Sequence, residues 1–226
     1  NDDNGHGTFV AGIIAANPDL PLDSKLTGIA FNTSIMPIKA MLPNYTTVRN
    51  IFGNIIGGST NSLILASSIE YAVDNGADVI NLSLSGSGSD PMVDNAIKYA
   101  VDRNVVIVAA SGNNNANASN YFPGNSANVI TVGASNSAQQ RAEYSNFGSK
   151  IDLVAPVGGS LASEQIASQW FNCNTASDCE ERTVDNFVSS NLTSVSNPST
   201  ALGTSFAAPQ VSSAVALMKS VNPNLT

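Results

Sequence analysis

Three short runs place reactive side chains beside glycines: Gly5-His6-Gly7-Thr8, Ser111-Gly112-Asn113-Asn114 and Gly203-Thr204-Ser205. Together they supply what acyl transfer needs. Ser205 offers a hydroxyl nucleophile at the start of an apolar helix, where free N–H groups and the positive dipole end favour a developing oxyanion. His6 offers an imidazole, the side chain best suited to carry a proton near neutrality. Asn113 ends a buried strand with an amide that can donate to that oxyanion. Each also has a plainer reading: a serine before a helix caps it, a histidine there is a satisfied polar group, and an asparagine beside glycine makes a turn.

The elements that must position these groups follow from periodicity. His6 opens a helix with apolar Phe9, Val10, Ile13 and Ile14 at helical spacing, closed by Asn17-Pro18. A strand is expected over Ile35 to Met41, and a loop around a short helix over Pro43 to Gly58. Asn61 to Asn75 predicts a second helix stopped by Gly76, followed by a buried strand within Ala77 to Leu84. Pro91 suits a first helical position, so a third helix runs to Arg103. Val105 to Ala110 is a continuous apolar run, the pattern of a central parallel strand. Further strands are expected at Asn128 to Ala134 and Lys150 to Val154, and a last helix from Phe206 to about Met218. Gly158 to Ala201 lacks strong periodicity and reads as an insertion. Helix alternating with buried strand implies an α/β fold, a doubly wound, mostly parallel sheet with helices on both faces. In such a sheet, functional groups collect at the carboxyl ends of strands.

Composition narrows the function classes. The 226 residues suit one domain, with 42% hydrophobic and only 12% charged residues. Nine Lys+Arg against 17 Asp+Glu give a net charge of −8, and no basic run exists to hold a phosphate backbone. Nucleic acid is therefore not an expected partner, and the acidic balance disfavours anionic membranes. No apolar run approaches the ~18 residues that cross a bilayer. With a single histidine in the chain, a zinc site at Cys173 and Cys179 is not expected. A local disulfide between them is the favoured reading, and it points to an exported protein. Asp2 and Asp3 read as a solvated turn, weak grounds for calcium. Asn-X-Ser/Thr triplets occur at Asn32, Asn44, Asn117 and Asn191. Asn81 has the same pattern within a predicted buried strand, where a glycan would not fit.

The His, Asn and Ser motifs in this order, with the strand Asn81-Leu82-Ser83-Leu84-Ser85-Gly86, resemble the subtilisin-like serine peptidases over nearly the whole chain apart from Gly158 to Ala201. The resemblance implies that Ser205 is the acylating nucleophile and that His6 is its general base and acid. Asn113 and the Ser205 N–H would form the oxyanion hole. Ser83, Leu84, Ser85 and Gly86, with Ala110, Ser111 and Gly112, would flank an extended peptide by β-addition and line its pockets. Tyr121 stands where relatives often have a small residue, ahead of a pocket-floor loop at Phe122-Pro123-Gly124, and would narrow that pocket. Gln210 replaces a histidine common in relatives.

One part of the pattern is absent. The family's triad needs an aspartate on a strand well before the histidine. Asp2 and Asp3 are too close to His6 to serve, and Asp74, Asp78 and Asp152 match nothing in that role. The chain is thus expected to be a partial peptidase domain over 1–226 without its N-terminal strands, and inactive in isolation. The family also implies a peptide or protein substrate, a propeptide, secretion, a monomer and no required cofactor; a structural calcium is compatible with it. Two alternatives remain: a transpeptidase or processing peptidase, whose acyl-enzyme is intercepted by an amine, and a catalytically inactive peptide-binding relative.

Overall fold

The computed structural model describes residues 5–17, 27–43, 58–159, 166–168 and 199–225. The first helix, α1 (His6–Ala15), buries Phe9, Val10 and Ile13 on one side. The expected strand at 35–41 does not form. Pro37 lacks the N–H that a ladder needs, and Ile38 and Ala40 instead pack against the core as irregular chain. Only Leu42–Pro43 (β1) is extended and paired, antiparallel to Gly58–Ser59 (β2). The 44–57 interior, for which a loop around a short helix was expected, lies outside the described residues.

Helix α2 (Ser62–Asp74) starts where Asn61 Oδ1 accepts the Ile64 N–H and stops before Gly76, whose φ is +82°. After it come β3 (Val79–Leu82) and β4 (Gly86–Ser87), then α3 (Pro91–Val101), whose N-cap Asp90 accepts the Met92 and Val93 N–H groups. That helix ends at Val101, short of Arg103, because the chain turns through Asn104 at φ +62°. Next are β5 (Val106–Ala110), β6 (Tyr121–Phe122), β7 (Val129–Ser135) and β8 (Leu153–Pro156). The last of these begins three residues beyond the expected Lys150. Lys150 and Asp152 are occupied in side-chain bonds to Ser126 O and Thr131 N–H, so they form the approach to the strand.

Strands β3, β5, β7 and β8 form a four-stranded parallel sheet in that order. Its two faces are separate cores. On one face α2 and α3 cover Ile80, Leu82, Ile107, Ala109 and Val129. On the other, α1 and the last helix cover Val108, Ala110, Val132 and Ala134. The alternation of β5 side chains between these clusters is the period-two geometry of a strand buried on both sides. Helices on both faces of a parallel sheet match the expected fold class.

The segment 158–201, read from sequence as an aperiodic insertion, is described only at 158–159, 166–168 and 199–201. Ile166–Ser168 (β9) and Ser199–Ala201 (β10) pair antiparallel and so draw its flanks together. Cys173 and Cys179, with the disulfide expected of them, lie outside the described residues, as do Asp2 and Asp3. The closing helix, α4 (Ala208–Val221), starts later than the expected Phe206 and is preceded by a 3-10 turn at Thr204–Phe206. Pro209 explains the delay: proline is tolerated only in the first turn of a helix.

Candidate active site

Parallel strands share one carboxyl edge. There β3 delivers Ser83 and β5 delivers Asn113, while α1 and α4 bring His6 and Ser205 from the face above. Beyond β5 the chain turns at Gly112 (φ +99°) and presents Asn113. Asn113 Oδ1 accepts both the Thr204 N–H at 2.8 Å and the Thr204 hydroxyl at 2.9 Å. A backbone N–H can only donate, so the carbonyl side of this amide must face Thr204, and its NH2 group points elsewhere. That NH2 group lies against Gly203: a β-carbon at position 203 would sit 3.3 Å from Asn113 Nδ2, at a backbone φ of +135°. Glycine at 203 therefore keeps the amide close to the turn that carries Ser205. The Thr204 hydroxyl also accepts the Gly112 N–H at 3.1 Å, locking the two loops together.

Ser205 is half-buried, as is His6, and Asn113 is exposed. The His6 ring packs on Phe206, the residue after Ser205, at 5.4 Å between centroids, and Phe206 in turn packs on Phe9 at 4.6 Å. An aromatic stack thus sets α1 against the nucleophile turn. The two serines at positions 83 and 205 bind each other reciprocally. Ser83 Oγ donates to Ser205 O at 2.6 Å, and Ser205 Oγ donates to Ser83 O at 3.2 Å. Behind them Asn81 Nδ2 donates to Ser83 Oγ, and Ser212 Oγ on α4 donates to Asn81 Oδ1. This polar relay joins β3 to α4 and fixes the height of Ser205 relative to the strand end.

Three residues from the β7–β8 connection complete the scaffold. Nothing in the sequence singled them out. Asn146, buried to 1% exposure, grips the loop after β5 at four backbone groups. Its Oδ1 accepts the Asn114 and Ala116 N–H groups, its Nδ2 donates to Ser111 O, and its own N–H donates to Gly112 O. Ser145 Oγ accepts the Ala134 N–H. Tyr144 donates its hydroxyl to Gly158 O at 3.1 Å, and its carbonyl accepts the Asn115 N–H. Burial raises the Tyr144 phenol above its ordinary range, an effect partly opposed by the neighbouring Gly203 N–H. A Tyr-Ser-Asn run between strands has no period and no motif. Only its buried hydrogen bonds reveal it.

The expected peptide-binding residues divide in two. Leu84 and Gly86 are half-buried and Ser85 is exposed, so this run remains open to solvent past β3. Ala110, Ser111 and Gly112 are buried. The Ser111 N–H donates to Val132 O, and its carbonyl is held by Asn146. The Gly112 N–H is held by Thr204, and its carbonyl by the Asn146 N–H. The two N–H groups of 111–112 are thus already spent, and an added strand would find no free backbone donor there. The Ser111 hydroxyl, buried without a hydrogen-bond partner, is the one orphaned polar side-chain atom among the described residues. Tyr121 pairs with Ser87 across the β4–β6 ribbon, and Phe122 pairs with Gly86. The Tyr121 side chain borders an open surface pocket of about 490 Å³ between residues 87–89 and 119–125.

Other carboxylates are engaged away from this edge. Asp74 accepts the Tyr99 hydroxyl, and Asp152 accepts the Thr131 N–H. Asp78 precedes β3, at the opposite end of the sheet from Ser83. Gln210 donates to Pro156 O and Phe206 O, clamping α4 to β8. Among the described residues no three His, Cys, Asp or Glu side chains converge as a metal site. No helix among them is long and apolar enough to cross a membrane.

Comparison with known proteins gives a consistent picture. The model of the subtilase family matches residues 1–226. An extracellular protease of Xanthomonas campestris pv. campestris is 36% identical over 221 residues, which cover 96% of this chain and 33% of the relative. Subtilisin DY of Bacillus licheniformis is 33% identical over 228 residues, covering all of this chain and 67% of the relative. Among solved structures, a cold-adapted subtilisin-like serine proteinase superposes with a TM-score of 0.72 at 28% identity, over 100% of this chain and 65% of that one. An alkaline protease of Alkalihalobacillus alcalophilus is covered over 47% of its length, so the chain spans about a third to a half of several relatives.

Proposed function

Since the chain belongs to the subtilase family, we propose that it is the larger part of a serine endopeptidase domain that cleaves peptide bonds through an acyl-enzyme on Ser205. His6 takes the Ser205 proton as the hydroxyl attacks the scissile carbonyl, and returns it to the leaving amine. The Ser205 hydroxyl rests on Ser83 O, so attack begins with its rotation towards the imidazole. The oxyanion is met by Asn113 Nδ2 and the Ser205 N–H. Water then attacks the ester with His6 again as base. We assign the carboxylate that orients His6 to a part of the protein outside these 226 residues, as the family pattern implies; Asp74 and Asp152 are committed elsewhere. Residues 83–86 hold the extended substrate, and Ala110, Ser111 and Gly112 wall its first pocket.

The observation that carries this reading is the orientation of Asn113. Its carbonyl is bound by Thr204 and its NH2 group is turned to the glycine two residues before Ser205. An oxyanion donor needs its carbonyl side tied back and its NH2 side on the nucleophile turn, and this orientation supplies both. A secreted enzyme made as a precursor is the corresponding whole protein, a proposal supported by relatives named as extracellular or cell wall-associated proteases. Incubating the full-length protein with casein and weighing the products tests the reaction. Hydrolysis adds one water per cleaved bond. Products lacking that water would show transfer to an amine, and intact casein would favour a peptide-binding relative.

A further inference from the structure

Two runs, 83–86 and 110–112, flank the first substrate pocket, and a side chain crosses from one to the other. Ser85 is exposed on the first run, past the end of β3. Gly112 turns on the second, and a β-carbon built there would lie 3.3 Å from Ser85 Oγ. The Ser85 side chain therefore touches the opposite wall. One position on, a larger group closes in. A β-carbon built on Gly86 would sit 2.4 Å from Phe122 Cε1 and 2.7 Å from its Cζ, so the ring lies against the backbone of that glycine. Phe122 is held there, because it packs on the α2–α3 core and its strand pairs with Gly86. The same loop is drawn up to the second wall: a β-carbon on Gly124 would meet Ala110 O at 3.3 Å.

We propose that Ser85 is a specificity-determining residue that restricts the first pocket to small side chains, so that cleavage follows residues the size of alanine or serine. The inference rests on the peptidase reading and deepens it. An aromatic ring slotted between two walls needs carbon contacts of about 3.5–4.0 Å on each of its faces. The walls must then stand about two contact distances apart. Ser85 Oγ and Gly112 are separated by little more than one, and the Phe122 ring fills the space next to them. Of the two obstacles only Ser85 is free of the core. Glycine at 85 would remove the crossing side chain and leave Phe122, and the packing beneath it, in place.

The test is Ser85→Gly and Ser85→Val in the full-length protein. Values of kcat/KM are measured on two chromogenic peptides that differ only in the residue before the scissile bond, alanine or phenylalanine. The ratio of the two values does not depend on how much of each variant is folded. Wild type is expected to favour the alanine peptide by roughly tenfold or more, and S85G to shift the ratio towards phenylalanine by roughly tenfold, sizes typical of discrimination by pocket volume. S85V is expected to shift it further towards alanine. A wild type that prefers phenylalanine, or an S85G ratio equal to that of wild type, would overturn the proposal and leave the peptidase reading intact. A fluorophosphonate adduct on Ser205 without cleavage of either peptide would overturn the pocket assignment alone. Absence of both cleavage and adduct would bring down the peptidase reading, and this proposal with it.

Discussion

The two faces of the sheet start their helices differently. On the α2–α3 face both helices carry side-chain caps: Asn61 accepts from Ile64, and Asp90 from Met92 and Val93. On the α1–α4 face neither helix has one. Helix α1 begins after Gly5 in the left-handed region, and α4 after Ala207. The uncapped starts are the ones that carry His6 and, one turn earlier, Ser205. A capping side chain spends its oxygen on the helix's own N–H groups. The face that builds a site forgoes that gain and holds its turns from outside, through Asn113, Ser83, Tyr144 and Asn146. On one face the helix starts are capped by neighbours in sequence; on the other the turns are held by residues tens of positions away.

The contrast sharpens most at Asn113. Replacing it with alanine removes both the anchor of Thr204 and the NH2 group that lies against Gly203. The expected fall in kcat is about 10²–10³ with KM little changed, a size known for the corresponding donor in subtilisin rather than one derived from this geometry. Loss of KM instead, in a peptide-hydrolysis assay, would place Asn113 in binding. Asn146→Ala comes next. It leaves the Asn114 and Ala116 N–H groups and Ser111 O without their buried partner, at a cost of roughly 2–3 kcal/mol, read by urea unfolding. An effect below about 0.5 kcal/mol, the range of ordinary surface substitutions, would mean that the β5 loop does not depend on the 144–146 segment.

The smallest effect belongs to the other face. Asp90→Ala removes the α3 cap and the acceptor of the Ser62 hydroxyl, and should cost about 1 kcal/mol with kcat unchanged. The Ser62 bond holds the Asp90 carboxyl below its usual range, against a slight opposing effect of burial, with the two α3 N–H groups adding to the lowering. A carboxylate with a lowered folded-state pKa stabilises above its unfolded value, near 3.9, and that contribution fades as pH falls through the lower folded value. Wild type and D90A should therefore differ in melting temperature at pH 7 and converge in acid. A kcat change in D90A would break the division of labour between the faces.

Sequence and structure agree best where burial has a period. The alternation of β5 between two cores and the spacing of Phe9, Val10 and Ile13 were legible because water exclusion imposes them locally. The helix from about Asn61 and its stop at Gly76 needed only their own segment. The 35–41 strand failed because its apolar pattern conceals Pro37, and the onset of α4 was misplaced although Pro209 marks it. Of the site, His6, Asn113 and Ser205 were legible as residue types, yet the amide orientation of Asn113 depends on Thr204, 91 positions away. Tyr144 and Asn146 were not legible at all. Their roles lie in hydrogen bonds to backbone groups, and any sequence at 111–116 would offer the same groups.

The most direct test is covalent. Treating the full-length protein with a fluorophosphonate and mapping the adduct by peptide mass spectrometry should place it on Ser205, with labelling abolished in His6→Ala. An adduct on another serine, or none on a protein that folds, would contradict the assignment of Ser205 as nucleophile.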